Sequence, residues 1–239
     1  MTTLGMKSQG QVPLEIAALP RDVAERFGFS SVEQVREALS SAGPRLAELW
    51  QGHEGSEEGY YRRKDVGEAY ILDLANWHMR RNVAGLLMGW CEEMRNQGLK
   101  VLDYGSGIGT AALMLSDGNE VDCLEPNKTL RGFIEWRAQR LGREINFVNG
   151  NTPAGRYDLA LCIDVLEHLT SPEKAAQAIY AALRPGGLLF TESDFTNDDG
   201  KNPMHHVDNS DKLGSHFWND VGLERVSTYW WRKPEESLG

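Results

Sequence analysis

Five short strand-like runs separated by helical patterns govern what the second half of this chain can become. The runs are Lys100–Asp103, Glu120–Glu125, Ile145–Val148, Leu159–Ile163 and Leu188–Thr191. Between most of them lie Gly109–Leu115, Lys128–Leu141 and Pro172–Leu183, where apolar residues recur at helical spacing. Parallel neighbours cannot be joined by a tight turn, and each helix is long enough to carry the chain back for the next strand. Strands covered by such helices are buried on both faces, so they read as apolar runs rather than as alternations. The pattern predicts the α/β class: a doubly wound, mostly parallel sheet with helices on both faces. Ser171 and Pro172 supply the last of these helices with an N-cap and a proline at its first position.

Residues 1–98 read as helices, with no strand signal before Lys100. The expected division is an N-terminal helical cap, 1–98, and a sheet-bearing domain, 99–239. Ser30-Ser31-Val32-Glu33 has the make-up of a capping box ahead of Val32, Val35, Ala38 and Leu39, and Gly43-Pro44 is expected to break that helix. His53–Gly59 is polar and glycine-rich, as a linker or mobile loop would be. From Asp65 a longer helix should run to Trp77 or beyond. Tyr70, Leu74, Trp77 and Arg81 follow at steps of four, three and four, along one face.

Charge and composition remove whole classes of partner. Lys and Arg number 25 against 35 Asp and Glu, a formal charge of −10. A nucleic acid would feel that repulsion at long range, so no nucleic-acid partner is expected. No stretch approaches the ~20 apolar residues of a membrane span. The first twenty residues lack the basic-then-apolar order of a secretion signal. Cys91, Cys123 and Cys162 are odd in number and widely spaced, which argues against a disulfide framework or a cysteine zinc site. A cytoplasmic protein, monomer or homodimer, is the expectation.

Asp103-Tyr104-Gly105-Ser106-Gly107-Ile108-Gly109 falls where the first strand should end and a helix begin. Glycines there permit positive φ and let a ligand approach the backbone. Glu125 closes the second strand, 22 residues after Asp103, where a carboxylate can take both hydroxyls of a ribose. A dinucleotide site would share that acid but usually spreads its glycines as GxGxxG to seat a pyrophosphate. An acid ahead of a GxGxG turn suits a ligand with an ammonium group and no phosphate.

Val101–Gly109 resembles the first motif of class I S-adenosylmethionine-dependent methyltransferases. Glu125-Pro126-Asn127 resembles that family's second-strand acid with its neighbours. Tyr157–Leu169 resembles the fourth-strand motif, and Leu183–Leu189 the turn before the fifth strand. The resemblance spans about 99–195 and implies a Rossmann-like fold, S-adenosyl-L-methionine as cofactor and S-adenosyl-L-homocysteine as product. It implies that Gly105, Ser106 and Gly107 lie under the methionine portion with Asp103 near its ammonium, and that Glu125, followed by Pro126, holds the ribose. It places Asn149, Gly150 and Asn151 near the adenine amine, with Asn151 the contact. Ile163 and Asp164 border the sulfonium. Arg80 and Arg81 stand where related enzymes hold the cofactor carboxylate, Arg81 being the choice, although a solvated helix face reads the same way. The family usually ends in a two-stranded hairpin; here only Leu223–Arg232 remains, so that hairpin is very short or a strand is missing.

A sulfonium methyl is already activated, so orientation and exclusion of water carry most of the work. A base is required when the nucleophile arrives protonated. His168, His205 and His206 are the catalytic candidates, with packing the blander role for His168. In an extended Asn202–Asp208 segment, His205 and His206 would point opposite ways, one of them into the pocket. No metal is expected. Most of the seven tryptophans should be core. Tyr61, Tyr70 and Trp77 are the substrate-binding candidates, an aromatic lid that could hold a flat or cationic acceptor. Arg62-Arg63-Lys64 can be merely solvated. The leading expectation is a small-molecule methyltransferase acting on N, O or C. A protein or peptide methyltransferase with an acidic groove over Asp194–Asp220, or a non-catalytic cofactor-binding scaffold, are the alternatives.

Overall fold

The computed structural model describes residues 12–80, 91, 93–150, 152–195, 202–209 and 216–235. β1 (Lys100–Tyr104), β2 (Glu120–Leu124), β3 (Asn146–Phe147), β4 (Tyr157–Ile163) and β5 (Leu183–Glu192) are parallel neighbours. β6 (Glu224–Arg225) and β7 (Trp230–Arg232) close the sheet in the order β3-β2-β1-β4-β5-β7-β6, with β7 antiparallel to both neighbours. The final hairpin is therefore present and very short. β5 begins earlier than the apolar run suggests, because a register shift opposite Tyr157–Leu159 takes Arg184-Pro185-Gly186-Gly187 into the strand.

The chain enters the sheet at its centre, builds β2 and β3 on one side, then crosses to β4 and β5 on the other. The crevice beyond the carboxyl ends of β1 and β4 is the switch point where such sheets take ligands. Alternate residues of β1 divide the core: Val101 packs with the N-terminal helices and Leu102 with the helix Pro172–Ala182.

α1 (Leu14–Ala17), α2 (Leu19–Phe27), α3 (Val32–Gln51), α4 (Glu57–Tyr61) and α5 (Lys64–Arg80) precede the sheet. The capping box of α3 is one residue further on than the sequence suggests: Gln34 N–H donates to Ser31 Oγ at 3.2 Å, and Gln34 Oε1 accepts from Ser31 N–H at 3.3 Å. Gly43-Pro44 does not end α3. A residue before proline is normally driven out of the helical region because its Cβ meets the ring, and Gly43 has no Cβ. The buried stripe Val35, Leu39, Ala42, Leu46, Leu49 continues across the proline, so packing holds the helix together. The polar segment from His53 is also not all loop, since Ser56 Oγ accepts from Gly59 N–H at 3.1 Å and starts α4. Arg62, Arg63 and Lys64 pair with Glu58, Asp65 and Glu68. α6 (Thr110–Leu115), α7 (Lys128–Leu141), α8 (Pro172–Ala182) and α9 (Phe217–Val221) follow β1, β2, β4 and β5 in the chain among the described residues. Ser171 occupies the N-cap of α8, but its side chain makes no capping bond. Trp218 and Trp231 are core, whereas Trp50, Trp77, Trp136 and Trp230 are half-buried. No helix among the described residues is long and apolar enough to cross a membrane.

Candidate active site

β1 ends at Asp103-Tyr104 and the chain folds back through the glycine turn into α6. Gly105 and Gly107 have φ of 78° and 54°, the left-handed region that glycine enters without steric cost. A Cβ on Gly105 would lie 2.4 Å from Val165 Cγ2, and one on Gly107 2.8 Å from Leu74 Cδ1. The turn is thus a cradle that side chains would fill.

Glu125 braces this cradle. One carboxylate oxygen accepts from Gly107 N–H at 2.9 Å and the other from Asn127 N–H at 2.9 Å. Ser106 Oγ donates to the Asp103 carbonyl at 2.9 Å. Asp103 and Glu125 are both buried. Burial, then the neighbouring Glu125, pushes Asp103 up to about 7. Burial pushes Glu125 up to about 7 as well, against the pull of its two backbone hydrogen bonds and of Arg131. Two buried acids side by side favour a ligand that brings positive charge and hydroxyl donors.

A cavity of about 710 Å³ opens above the turn. Asp103, Gly105, Ser106, Gly107, Glu125 and Pro126 form its floor, with Ile163 and Asp164 beside them. Asp164 has φ of 52°, a backbone state uncommon for a side-chain-bearing residue and frequent at functional sites. Tyr61, Tyr70, Trp77, His168 and His205 line the far wall. The Tyr61 hydroxyl lies 3.1 Å from His168 Nδ1. His168 stands edge-on to His205, with ring centroids 4.7 Å apart. Burial, then the two nearby histidines, drives His168 down to about 3, with the Met204 backbone opposing weakly. His168 is thus a neutral, half-buried ring on the cavity wall.

Asn202–Asn209 is not extended: it turns and ends in a short 3₁₀ segment, Val207–Asn209. The two histidines nonetheless part company. His205 borders the cavity. His206 lies outside that lining, with Nε2 3.0 Å from Glu57 Oε2, and its backbone N–H donates to the Glu167 carbonyl at 2.7 Å. Asn149 and Gly150 also stay outside the cavity; Asn149 Oδ1 accepts from Arg131 at 2.9 Å. Asn151 and Arg81 lie outside the described residues, as does the side chain of Arg80.

Sequence reasoning missed Asp73 and His78, which both line the cavity from α5. Helical spacing could have found them, since Asp73 follows Tyr70 by three and His78 follows Leu74 by four. His78 Nδ1 is 2.9 Å from Thr110 Oγ1, and burial with the Arg137 charge holds it down at about 3. Glu167 is buried, accepts from Asp194 N–H at 3.0 Å, and is pushed up to about 8 by burial and Asp164. Among the described residues no three His, Cys, Asp or Glu side chains gather as a metal site would require.

A family model described as a methyltransferase domain matches residues 76–234, about two-thirds of the chain. The chain belongs to this methyltransferase family. Among its relatives is the ubiquinone biosynthesis O-methyltransferase of Methylocella silvestris, 29% identical over 154 residues, covering 61% of this chain and 59% of the relative. The enzyme of the same name from Cronobacter sakazakii is 32% identical over 152 residues, 61% and 55% of the two chains. The match thus spans a little under six-tenths of these relatives. Phosphoethanolamine N-methyltransferase 2 of Haemonchus contortus, solved in complex with S-adenosyl-L-methionine, shares the fold. Its TM-score is 0.56 at 14% identity, over 71% of this chain and 45% of that one.

Proposed function

We propose that this protein transfers a methyl group from S-adenosylmethionine to a nitrogen, oxygen or carbon atom of a small molecule. One observation carries the reading: a glycine cradle braced by Glu125, with buried Asp103 beside it, forms the floor of a cavity whose far wall is aromatic. The donor set fits the cofactor. Glu125 would accept from ribose hydroxyls, Asp103 would face the ammonium, and the bare backbone of Gly105 and Gly107 would lie against the methionine portion. When bound, S-adenosylmethionine supplies an electrophilic methyl on a sulfonium. The remaining work falls to this chain's own residues.

Tyr61, Tyr70 and Trp77 orient the acceptor and keep water from the reacting centre. His205 takes a proton from the acceptor where one must leave, because His168 is engaged by Tyr61 and held neutral. His168 positions Tyr61 and His205. The N-terminal helices act as the cap of the cavity. The names of the curated relatives support a small-molecule acceptor, and the charge of −10 disfavours RNA. A cytoplasmic setting is part of the same proposal.

Titration calorimetry with S-adenosylhomocysteine, followed by a radiolabelled methyl-transfer screen of amines, phenols and catechols, tests the reading. Binding near micromolar strength, about −8 kcal/mol, is expected. With the acceptor so found, His205→Ala should lower turnover about 10²-fold at unchanged cofactor affinity, while His206→Ala should leave the chemical step intact. Absence of cofactor binding would end the proposal.

A further inference from the structure

The face of α5 that sequence periodicity marks with Tyr70 and Trp77 also carries Asp73, and this carboxylate stands apart. It is half-buried on the cavity wall. Among the described residues it makes neither a hydrogen bond nor an ion pair. Burial alone pushes it up to about 6. A carboxylate withdrawn from water without a partner costs stability, and one in mid-helix serves no capping role. The other acids of this wall have partners in the protein: Glu57 meets His206, Glu58 meets Arg62, and Glu167 holds Asp194 N–H.

The surroundings make room for Asp73. A Cβ on Gly43 of α3 would lie 3.3 Å from Asp73 Oδ1, tighter than nearly all real contacts of that kind. Glycine inside a helix costs stability relative to alanine, so its presence at this crossing leaves the carboxylate space at a price in helix propensity. Tyr70, three residues earlier on α5, is close enough to feel the Asp73 charge, and the Tyr61 ring, which lines the same cavity, has its centroid 6.1 Å from that of Tyr70 with planes tilted by 40°. Lys174 is the one Lys or Arg among the described residues that line the cavity. An anionic acceptor would meet unpaired negative charge here, while a cation would meet a carboxylate and π faces.

We propose that the acceptor carries a positively charged nitrogen, an ammonium or its alkylated form, and that Asp73 selects it with the rings of Tyr61 and Tyr70 beside the charge. This rests on the methyl-transfer reading of the same cavity and adds the acceptor's chemical class.

Three probes that share a phenol ring separate the charge term: tyramine, uncharged 4-ethylphenol, and anionic 4-hydroxyphenylacetate. Each is titrated into the full chain saturated with S-adenosylhomocysteine. Tyramine should bind tightest and 4-hydroxyphenylacetate weakest. Asp73→Asn, which keeps the side chain's shape, should weaken tyramine about tenfold while leaving 4-ethylphenol and the cofactor product unchanged. Asp73→Glu should keep the order of the three. The inference is overturned if tyramine fails to bind, if 4-hydroxyphenylacetate binds as well as tyramine, or if Asp73→Asn leaves their ratio unaltered. Failure of S-adenosylhomocysteine itself to bind the unsubstituted protein would instead overturn the methyl-transfer reading.

Discussion

Replacing Glu125 by glutamine should cost nearly as much cofactor affinity as replacing it by alanine. Glutamine preserves size and shape, so intuition favours the milder outcome. The geometry says otherwise. Both carboxylate oxygens accept a backbone N–H, from Gly107 and from Asn127, each at 2.9 Å. An amide has one acceptor oxygen, and its NH₂ must then oppose the second backbone N–H. A buried donor left unsatisfied costs about 1–3 kcal/mol. Because Gly107 belongs to the cradle, that strain falls on the cofactor site, and affinity for S-adenosylhomocysteine should drop about 5- to 150-fold. Alanine loses the same bonds but leaves space that water can fill. Calorimetry at pH 8, with circular dichroism to confirm that each variant is folded, makes the comparison. Glu125→Gln binding within twofold of the unsubstituted protein would refute the argument.

Gly105→Ala should destabilise the turn by about 1–2 kcal/mol through its positive φ alone and abolish cofactor binding through the clash with Val165. Adding Val165→Ala should return only part of the loss by calorimetry. Asp103, Glu125 and Glu167 keep protons to about 7, 7 and 8 in the fold, well above their unfolded values, so stability should fall as pH rises from about 4 to 8. His78 and His168, held neutral down to about 3, act the other way: their contribution is present above pH 6.5 and is lost as pH falls towards 3. Three such acids outweigh two histidines above about pH 5, so thermal melts across pH 4–9 should be highest near pH 5 and decline towards pH 8, and the rise in Tm caused by S-adenosylhomocysteine should grow between pH 6 and 8. A flat profile counts against both assignments. Arg137 is fully buried, ion-paired with Asp22 at 3.2 Å, and donates to the Ile108 carbonyl at 2.7 Å. Arg137→Met should cost about 3–5 kcal/mol in urea unfolding, because it leaves buried Asp22 with only the longer Arg140 contact at 3.7 Å and removes the donor to the Ile108 carbonyl, and adding Asp22→Asn should recover part of it.

The sheet was legible because each strand and crossover helix shows its own local pattern, and the glycine turn and its acid are contiguous stretches of chain. α3 was misread at Gly43-Pro44 because the force that carries it onward, burial of Leu46 and Leu49, is tertiary and leaves no local trace. The far wall was legible only in part. Tyr70 and Trp77 stand out by type, whereas Asp73 and His78 look like ordinary polar positions until α5 is set against α3 and the turn. The parting of His205 and His206 was anticipated from an extended backbone, yet it arises in a turn, where Glu57 holds one ring and His168 packs on the other.

Asn127 leaves a constraint of another kind. Its carboxamide oxygen accepts from Thr129 N–H at 2.8 Å at the start of α7, while its NH₂ donates to the carbonyls of Tyr61 at 2.7 Å and Arg63 at 2.9 Å. A Cβ on Gly67 would come within 2.4 Å of that oxygen. The segment bearing Tyr61 is thus buttoned to the residue two places after Glu125. An engineer who wished to change acceptor range by transplanting the helical segment from a relative could not treat it as a detachable part. The graft would have to bring a glycine at position 67 and carbonyls at 61 and 63 turned towards Asn127, or it would be fitted at the expense of the Glu125 end of the pocket.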